Sequence, residues 1–529
     1  MKIVDYKKIC IWILALSLGS IFLTPSTYAQ TTIPAFPGAE GFGSTTPGGR
    51  GGRVIEVTNL NNSGVGSLRA CIEASGSRVC VFRTGGTIDV VSEIRINNPY
   101  ITIAGQTAPG DGIALRKSSS SDGETPLVIN THDVIIRFIR SRPGPSPSAS
   151  ENVDALTIIS GYNIVIDHCS FSWATDENVN TWYDPYDFTI QWSIISEGLR
   201  YSNHTKGEHS CGLLVGSDGC KNVSIHHNLM AHNTMRNPEI GTNNGIVDVV
   251  NNVVYNPLWS GSAMAVHDSW GHGPVNFVNN YLKAGPDTSS PAYVIDILGY
   301  NNNGYSLYAS GNIGPTRPQD DQSEALAMSP ASREYITSNR HSAPSVTTYS
   351  ALKAYDEVLA GVGATHRLDN EGQLVFNRDP VDERIVNDVK NGVGRIINDP
   401  SEKGGWPVLE AGIPYSDLDH DGMPDSWETK YGFNPNNASD GPTDADGDGY
   451  TNTEEFLNGT NPVSSLPPTL TGDLNSDNVV DIIDLVIVGS NFGKDYNNAG
   501  TDKRADANAD KVIDILDLVI VGSNFGKSR

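Results

Sequence analysis

The chain has 529 residues and a net charge of −25 at pH 7, with 61 acidic against 36 basic side chains. Such an acidic surface repels the phosphates of nucleic acids, so the composition excludes a general nucleic-acid binder. It also repels an acidic polysaccharide unless cations intervene locally. The length exceeds an ordinary domain of about 100–200 residues and therefore predicts several domains.

Residues 1–29 predict a secretory signal peptide. Lys2, Lys7 and Lys8 form a basic start, an apolar run covers 9–23, and small residues follow. A permanent membrane anchor needs roughly 20 apolar residues, so we expect cleavage and no membrane span. The mature protein is therefore expected to be secreted and extracellular.

The cysteines predict disulfides if the chain is exported to an oxidising compartment. Of six cysteines, five follow the leader. Cys71–Cys80 and Cys211–Cys220 are candidate short-loop pairs, which leaves Cys169 as a buried thiol. The cysteine spacing contains no CxxC pair typical of a zinc site.

From about residue 33 to 315 the sequence contains short β-rich segments that end in Asn, Gly or Ser. Their starts are 24 to 35 residues apart, and they cover 134–142, 164–173, 188–198, 223–233, 247–256, 275–285 and 305–314. Strand–turn–strand units at this spacing predict an all-β, parallel β-solenoid. The pairs Asn251-Asn252 and Asn279-Asn280 fit its turns, where Asn tolerates left-handed backbone. A β-sandwich is the alternative, although its hairpin signals are scarce.

The pattern becomes helical between about 320 and 400. Residues 350–363 have apolar side chains at helical spacing and end in a Gly-rich tail. A second helix is predicted over 379–392, with Asp379 as N-cap, Pro380 at the first helical position and Gly392 at its end. We expect both helices to pack along the solenoid or to cap it.

Four acidic loops after residue 417 have the spacing of EF-hand calcium loops. Oxygen ligands occupy loop positions 1, 3, 5, 9 and 12, an arrangement that collects carboxylates around a hard cation. The predicted Ca²⁺ ligands are Asp417, Asp419, Asp421, Asp425, Glu428, Asp444, Asp446, Asp448, Asn452, Glu455, Asp473, Asn475, Asp477, Asp481, Asp484, Asp506, Asn508, Asp510, Asp514 and Asp517. A disordered acidic tail is the alternative, but it does not explain four loops in register.

The tandem units at 473–529 resemble a type I dockerin, the duplicated calcium module by which secreted polysaccharide enzymes bind cohesin domains. Each of the two loops is followed by the same string, LVIVGSNFGK. The resemblance implies a cohesin-type receptor and attachment to a cell surface or a multienzyme complex. Loop positions 10 and 11, where dockerins often carry small polar recognition residues, hold Ile482-Ile483 and Ile515-Leu516.

The loops before that module resemble thrombospondin type 3 calcium repeats, which commonly serve as stiff spacers. We assign the spacer to 401–462 and a Pro/Ser/Thr-rich linker to 463–472. The predicted order is therefore signal peptide, solenoid domain with C-terminal helices at 30–400, spacer, linker and the dockerin-like module.

A candidate catalytic metal site lies within residues 151–180 of the solenoid. Asp154 and Asp176 flank a strand pair, and Asn180 follows four residues after Asp176. On successive solenoid coils, residues distant in sequence stack about 4.8 Å apart. The three side chains would then form an oxygen-rich pocket suited to Ca²⁺, although solvated acids on turns are common.

Several motifs together resemble the pectate lyase family, polysaccharide lyase family 1. They are AFPGAEGFG, TPGGRGGRVIEVTNLNNSGVGSLR, ITIAGQTAPGDGI, VIDHCSFSW, DEN and RNP, and they occur in family order. The resemblance implies a right-handed, single-stranded parallel β-helix. It also implies that Asp154 and Asp176 are calcium ligands, that Asn180 replaces a third carboxylate, and that Arg236 is the catalytic base.

The chain departs from this family pattern in its cations. Gly241 stands where better-known members have a second arginine, and Cys211 stands at the place of a lysine, beside His209. Such losses should weaken binding of the substrate carboxylates. Lys206, Arg140 and Arg142 are candidate replacements; of these we expect Arg142 and Lys206, together with His209, to bind substrate.

The leading interpretation is a calcium-dependent pectate lyase, expected to act as a monomeric domain, that cleaves (1→4)-α-D-galacturonan by β-elimination. Ca²⁺ would neutralise the uronate beside the acidic C5 proton. One alternative is a lyase for another uronic acid polymer or for esterified pectin. Others are a glycoside hydrolase with paired carboxylates, and a non-catalytic, carbohydrate-binding β-solenoid.

Overall fold

The computed structural model describes residues 33–119, 125–145, 148–150, 152–217, 219–242, 245–259, 263–267, 271–299, 304–464, 472–475, 479–494, 496, 498, 500–508 and 511–526. The predicted leader, 1–29, and the candidate ligands Asp477 and Asp510 lie outside these residues. Within them, no helix combines the length and the hydropathy needed to cross a bilayer.

The main body is a parallel β-solenoid whose coils each add a strand to up to three faces, as the sequence predicted. Face 1 contains β1 (Arg53–Val57), β2 (Arg78–Phe82), β5 (Ile101–Ala104), β8 (Val134–Arg137), β11 (Ile164–Asp167), β14 (Asp184–Gln191), β17 (Lys221–His226), β20 (Val247–Val250), β23 (Pro274–Val278) and β26 (Ser306–Ser310). Face 2 contains β3 (Gly86–Val90), β6 (Ile113–Lys117), β9 (Ile139–Ser141), β12 (Ser170–Ser172), β15 (Ile194–Ser196), β18 (Leu229–Ala231), β21 (Val253–Tyr255) and β24 (Tyr281–Lys283).

Face 3 carries the candidate site. It contains β4 (Ile94–Ile96), β7 (Leu127–Asn130), β10 (Leu156–Gly161), β13 (Glu177–Thr181), β16 (Cys211–Ser217), β19 (Glu239–Thr242), β22 (Met264–His267) and β25 (Ile295–Leu298). Contacts of β10 with β14 join faces 1 and 3 into one sheet. Neighbouring strands pair in parallel, so equivalent residues of successive coils lie side by side.

The core forms because alternate strand residues point inward and stack on their equivalents in the next coil. On face 1 the register aligns Ile136 with Ile166, Ile166 with Ile190, and Ile190 with Ile225. All four side chains are buried in one hydrophobic cluster that extends along the solenoid. Burial of about 1.5–3 kcal/mol per such side chain makes this stack a major stabilising term.

The turns between faces 1 and 2 use the asparagine pairs as predicted. Asn251 and Asn279 have positive φ values of 54° and 51°. The following residues form a ladder in which the Nδ2 of Asn252 donates to Oδ1 of Asn280 at 3.1 Å. Asn280 in turn donates to Asn312 in the next coil, at 2.9 Å. Buried amide groups are thereby satisfied between coils.

The disulfide prediction is half right. Cys71 and Cys80 are bonded, and Cys169 is a buried thiol, as expected. Cys211 and Cys220 are both free and buried, so that pairing is wrong. The reason is that Cys211 begins the extended strand β16, and seven residues at about 3.3 Å each carry the chain too far for a bridge.

Helices α2 (Ala351–Gly361) and α3 (Pro380–Asn391) follow the solenoid, and both predictions are confirmed. Asp379 caps α3, and Gly392 ends it with a φ of 69°. Their apolar side chains share a buried cluster with face 2. The other elements are α1 (Leu68–Glu73), a hairpin of β27 (His366–Leu368) and β28 (Leu374–Phe376), and short 3₁₀ segments at Gly105–Thr107, Glu324–Leu326, Ser332–Tyr335, Pro400–Lys403 and Lys503–Ala505.

The first two acidic loops precede α4 (Asp425–Tyr431) and α5 (Asn452–Asn458) and pack on the solenoid. Trp427 and Phe456 share a hydrophobic cluster with Val79, Val81 and Ala104, which belong to strands β2 and β5 of face 1. This packing differs from the stiff spacer expected from the sequence, because apolar residues of the loop module, 401–462, cover face 1. The last two loops precede α6 (Ile482–Asn491) and α7 (Ile515–Asn524), which form a small cluster of their own.

Candidate functional site

Three carboxylates meet at the edge of face 3. Asp154 lies just before β10, Asp176 just before β13, and Glu177 begins β13. One oxygen atom of each lies within 4.8 Å of those of the other two. The parallel register brings the starts of successive strands together, which explains why residues more than 20 positions apart become neighbours.

Asp154 is a buried member of this cluster. Its Oδ2 accepts a hydrogen bond from the Thr157 hydroxyl at 2.6 Å, and its Oδ1 accepts one from the Glu177 amide at 3.1 Å. Burial and the negative charge of Asp176 raise the pKa of Asp154 well above its usual range. A hard cation would offset both effects, and the all-oxygen donor set suits Ca²⁺.

The predicted ligands Asp154 and Asp176 are brought together. The Asn180 side chain lies beside them and forms a hydrogen bond with Asp154. Its Nδ2 donates to Glu177 at 3.4 Å, and its Oδ1 accepts a hydrogen bond from the Trp182 amide at 2.8 Å. Sequence reasoning missed Glu177, because adjacent strand residues normally point to opposite sides. Asp176 precedes the strand, so this alternation does not separate it from Glu177.

Arg236 lies beside the carboxylate cluster. Its guanidinium forms an ion pair with Glu177, and its Nε lies 3.4 Å from Oε2 of Glu239. Burial raises the pKa of Glu239. Arg236 adopts a left-handed φ of 63°, which costs a non-glycine residue of order 1 kcal/mol. The local backbone thus directs a cation between two carboxylates at the edge of face 3.

The three predicted substrate-binding residues have different surroundings. His209 Nε2 lies 2.8 Å from Asp176 Oδ1, and its ring stacks on that of His204 with centroids 3.8 Å apart. Lys206 is exposed on the same loop. Arg142 is fully buried and pairs with Asp379 and Asp382 of α3.

The assignment of Arg142 to substrate binding is therefore wrong. Its guanidinium links the end of strand β9 to helix α3. A polysaccharide has no access to this buried position. Arg140 is equally buried, and its Nε lies 3.2 Å from Oδ2 of Asp379. Sequence spacing alone does not separate a buried cation of this kind from one that lines a groove.

The carboxylates of the first acidic loop, 417–428, converge on a common centre. Asp417, Asp419 and Asp421 form one group, and Asp421 forms a second with Glu428 and Asp440. Both carboxylate oxygens of the fully buried Glu428 lack a hydrogen-bond partner. Burial and nearby acids raise the pKa of Glu428 to about 8. An uncompensated buried carboxylate is costly, so these residues fit a divalent cation.

Two details of the predicted ligand set for this loop change. Asp440 lies beyond the loop and was not predicted. Asp425 accepts hydrogen bonds from Ser416 Oγ at 2.5 Å and from the Leu418 amide at 2.9 Å, so its carboxylate closes the loop. Regular loop spacing could not reveal Asp440, because it approaches from the following segment.

The second acidic loop contains Asp444, Asp446, Asp448 and Glu455. Burial raises the pKa of Glu455 to about 7, and the negative charges of the three aspartates add to that effect. Asn452 is buried, and its Nδ2 donates to Asp440 O at 2.9 Å, so it supports the loop backbone.

The last two loops repeat one hydrogen-bond pattern. Asp484 accepts bonds from the amides of Leu474 and Asn475, and Asp517 accepts the equivalent bonds from Ala507 and Asn508. The remaining predicted ligands that the structure describes in these loops are Asp473, Asp481, Asp506 and Asp514. Asp481 and Asp514 are the N-caps of α6 and α7.

No family model matches the chain. It is similar to the probable pectate lyase C of Aspergillus fumigatus, with 36% identity over 427 residues that cover 79% of this chain and 91% of the relative. It is 35% identical to that of Aspergillus flavus over 452 residues, which cover 84% and 99%. Among solved structures, the cedar pollen allergen jun a 1 covers 61% of this chain and 92% of its own length, with 17% identity and a TM-score of 0.45. On its curated relatives, the chain belongs to the pectate lyase family, a family of polysaccharide lyases.

Proposed function

We propose that the chain is a secreted, calcium-dependent pectate lyase that cleaves polygalacturonate to unsaturated oligogalacturonides. The single observation that carries the proposal is the meeting of Asp154, Asp176 and Glu177 beside Arg236. A cation-binding pocket next to a guanidinium supplies the two charges that β-elimination from a uronate needs. Membership of the pectate lyase family supports the same reaction.

Polygalacturonate carries a carboxylate at C6 of each sugar, and the reaction removes the neighbouring C5 proton and expels the C4 oxygen. Ca²⁺ bound by the three carboxylates would supply neutralisation of the substrate carboxylate, which makes that proton acidic. Asp154, Asp176 and Glu177 would hold the ion and so fix where the uronate sits.

Arg236 has two roles compatible with its position. It would accept the C5 proton, or it would stabilise the negative charge that develops on the C6 carboxylate as that proton leaves. An arginine in water holds its proton tightly, with a pKa above about 12. The first role therefore requires a nearby cation, removal of water or alkaline pH to ease deprotonation.

The number of converging carboxylates disfavours a glycoside hydrolase. Those enzymes use one pair of carboxyl groups and need no metal. Asp154, Asp176 and Glu177 instead place three carboxylate oxygen atoms within 4.8 Å of one another. Three converging oxygen atoms favour a metal site over an acid–nucleophile pair.

One assay tests the proposal against its alternatives. The protein is incubated at alkaline pH with polygalacturonate, with Ca²⁺ or with chelator, and the ultraviolet absorbance of the unsaturated product is followed. We expect the absorbance to rise when Ca²⁺ is present and to stay unchanged when chelator is present. New reducing ends without absorbance would indicate hydrolysis, and neither signal would indicate a binding protein. Activity only on methyl-esterified pectin would redirect the substrate assignment.

We extend the proposal to the C-terminal module, residues 473–529, as an attachment device that binds a cohesin-type receptor. Its two helices expose matching apolar side chains on the surface, which are Ile482, Ile483, Val486, Ile515, Leu516 and Val519. Exposed apolar residues at equivalent positions of a duplicated unit favour a docking role.

Two measurements test this extension. Limited proteolysis is expected to cut first in the proposed linker, 463–472, and to release the module from the proposed catalytic domain, 30–400, and the loop module, 401–462. Binding to an immobilised cohesin domain should be lost when Ile483 and Leu516 are both replaced by Asp. Secretion is tested separately, by finding whether the leader, 1–29, is removed from the exported protein.

A further inference from the structure

The outward-facing residues of face 3 form a straight line across the coils. The register pairs Arg95 with Val128, Val128 with Thr157, and Thr157 with Asn180. Because adjacent strands lie about 4.8 Å apart, Arg95 stands roughly 14 Å from Asn180 along this line. Beyond Asn180 the same line continues to Leu214 and Glu239.

The metal cluster divides this line into two sides. Arg236 and its partner Glu239 lie on one side, and Arg95 lies on the other. A polymer laid along face 3 over the carboxylate cluster would therefore pass Arg236 in one direction and Arg95 in the other.

A cavity of about 180 Å³ connects the cluster with Arg95. Its lining includes Asp154 and Asn180 at one end, Arg95 and Glu93 at the other, and Tyr183. Tyr183 is 48% exposed as a whole residue, and the side chain of Arg95 is 34% exposed. Both side chains are thus accessible to a ligand that enters this cavity.

The chemistry of these two side chains matches a sugar acid. Arg95 Nε bonds to Glu93 Oε1 at 2.6 Å, a contact that orients the guanidinium. Among the described residues that line the cavity, Arg95 is the cation. A planar guanidinium binds carboxylates with defined geometry, and an aromatic ring offers an apolar face to a sugar.

We propose that Arg95 and Tyr183 form a distal uronate subsite, on the opposite side of the metal cluster from Arg236. Arg95 binds the carboxylate of a galacturonate unit, and Tyr183 packs against a sugar ring nearer the cluster. The inference rests on the proposed function, since it needs a polyuronate in the groove. In a protein with a net charge of −25, a local cation is needed to hold an anionic chain.

The test compares Arg95→Gln with Arg116→Gln in the full-length protein. Arg116 is a matched control, because its side chain is 36% exposed and its Nε pairs with Asp89 at 2.7 Å, but on face 2. The kcat/KM is measured on polygalacturonate and on oligogalacturonides of increasing length. Binding of the same oligomers is measured by calorimetry in an Arg236→Lys background, where cleavage is suppressed.

Arg95→Gln is expected to lower kcat/KM and affinity by about tenfold for chains long enough to reach it, with a smaller loss for trimers. Arg116→Gln should stay within about twofold of the wild type. Methyl-esterified pectin carries no charge for Arg95 to bind, so its binding should respond less to Arg95→Gln. Tyr183→Ala should weaken binding of both polymers, because its contact is apolar.

Arg95→Lys provides a second variant that keeps the charge but loses the planar fork, and it should lie between wild type and Arg95→Gln. Thermal midpoints of all variants identify any that fail to fold. The subsite is overturned if Arg95→Gln matches Arg116→Gln on every chain length while the wild type is active. A wild type that neither cleaves nor binds polygalacturonate would instead overturn the proposed function, and the subsite with it.

Discussion

Arg236 forms an ion pair with Glu177, which lies 59 residues earlier in the chain. The same Glu177 belongs to the carboxylate cluster of Asp154 and Asp176. One side chain therefore joins the candidate metal site to the candidate catalytic cation. Because a bound divalent ion becomes the largest local charge, metal binding should weaken the hold of Glu177 on Arg236.

Replacing Glu177 by Gln should raise the Ca²⁺ concentration for half-maximal lyase activity by about tenfold or more, because a charged ligand is lost. The measurement is the initial rate against free Ca²⁺. Glu383→Gln is the control, since Glu383 lies on α3 and pairs with Arg378 at 3.5 Å. An unchanged Ca²⁺ dependence in Glu177→Gln would remove this residue from the metal site.

Arg236→Lys should lower the turnover number by about 10²- to 10⁴-fold, since lysine lacks the fork that reaches both Glu177 and Glu239. The cation is kept, so the thermal midpoint should change little. Arg384→Lys is the opposite control, because Arg384 pairs with the buried Glu197 away from the groove. The Arg384→Lys variant should lose stability and keep its turnover number. Equal turnover numbers in Arg236→Lys and Arg384→Lys would exclude a catalytic role for Arg236.

Calcium removal should destabilise the loop module that covers face 1. At a Ca²⁺ concentration of about 100 times Kd, one bound ion contributes about 2.7 kcal/mol to the free energy of unfolding. Chelation should therefore lower the thermal midpoint, measured by calorimetry. Asp440→Asn should reduce this Ca²⁺-dependent shift, because Asp440 lies in the group with Asp421 and Glu428. Asp425→Asn should lower stability but keep the Ca²⁺-dependent shift of the thermal midpoint. Loss of that shift in Asp425→Asn, with the shift kept in Asp440→Asn, would contradict the revised ligand set.

Acid should destabilise the solenoid through a buried histidine. Burial lowers the pKa of His226 to about 4. Unfolded histidine, with a pKa of about 6.5, takes up a proton that the folded state does not, so this contribution is complete above that pH and is lost as the pH falls from about 6.5 toward 4.

His226→Gln should therefore reduce the pH dependence of the free energy of unfolding by about 1.4 kcal/mol per pH unit in that window. Denaturant unfolding at several pH values measures it. Above about pH 7 the two slopes should coincide, which serves as the internal control. Identical slopes below pH 6 would show that His226 is not kept neutral by the fold.

The parallel solenoid, the asparagine turns and the helix capped by Asp379 and Gly392 could all be predicted from the sequence. These features depend on local patterns, namely alternation of apolar residues, turn residues and helix caps, and each repeats or is confined to a few positions. The proximity of Asp154 and Asp176 could be predicted for the same reason, since the coil spacing predicts which residues stack.

The side chains that share a site could be identified only from the folded structure. It added Glu177 and Asp440 to the carboxylate groups, buried Arg142 against α3, and separated Cys211 from Cys220. Those outcomes depend on where a strand begins and on which distant segment packs against it. Local pattern carries no information on either, because contacts between separate segments are set by the packing of the whole chain.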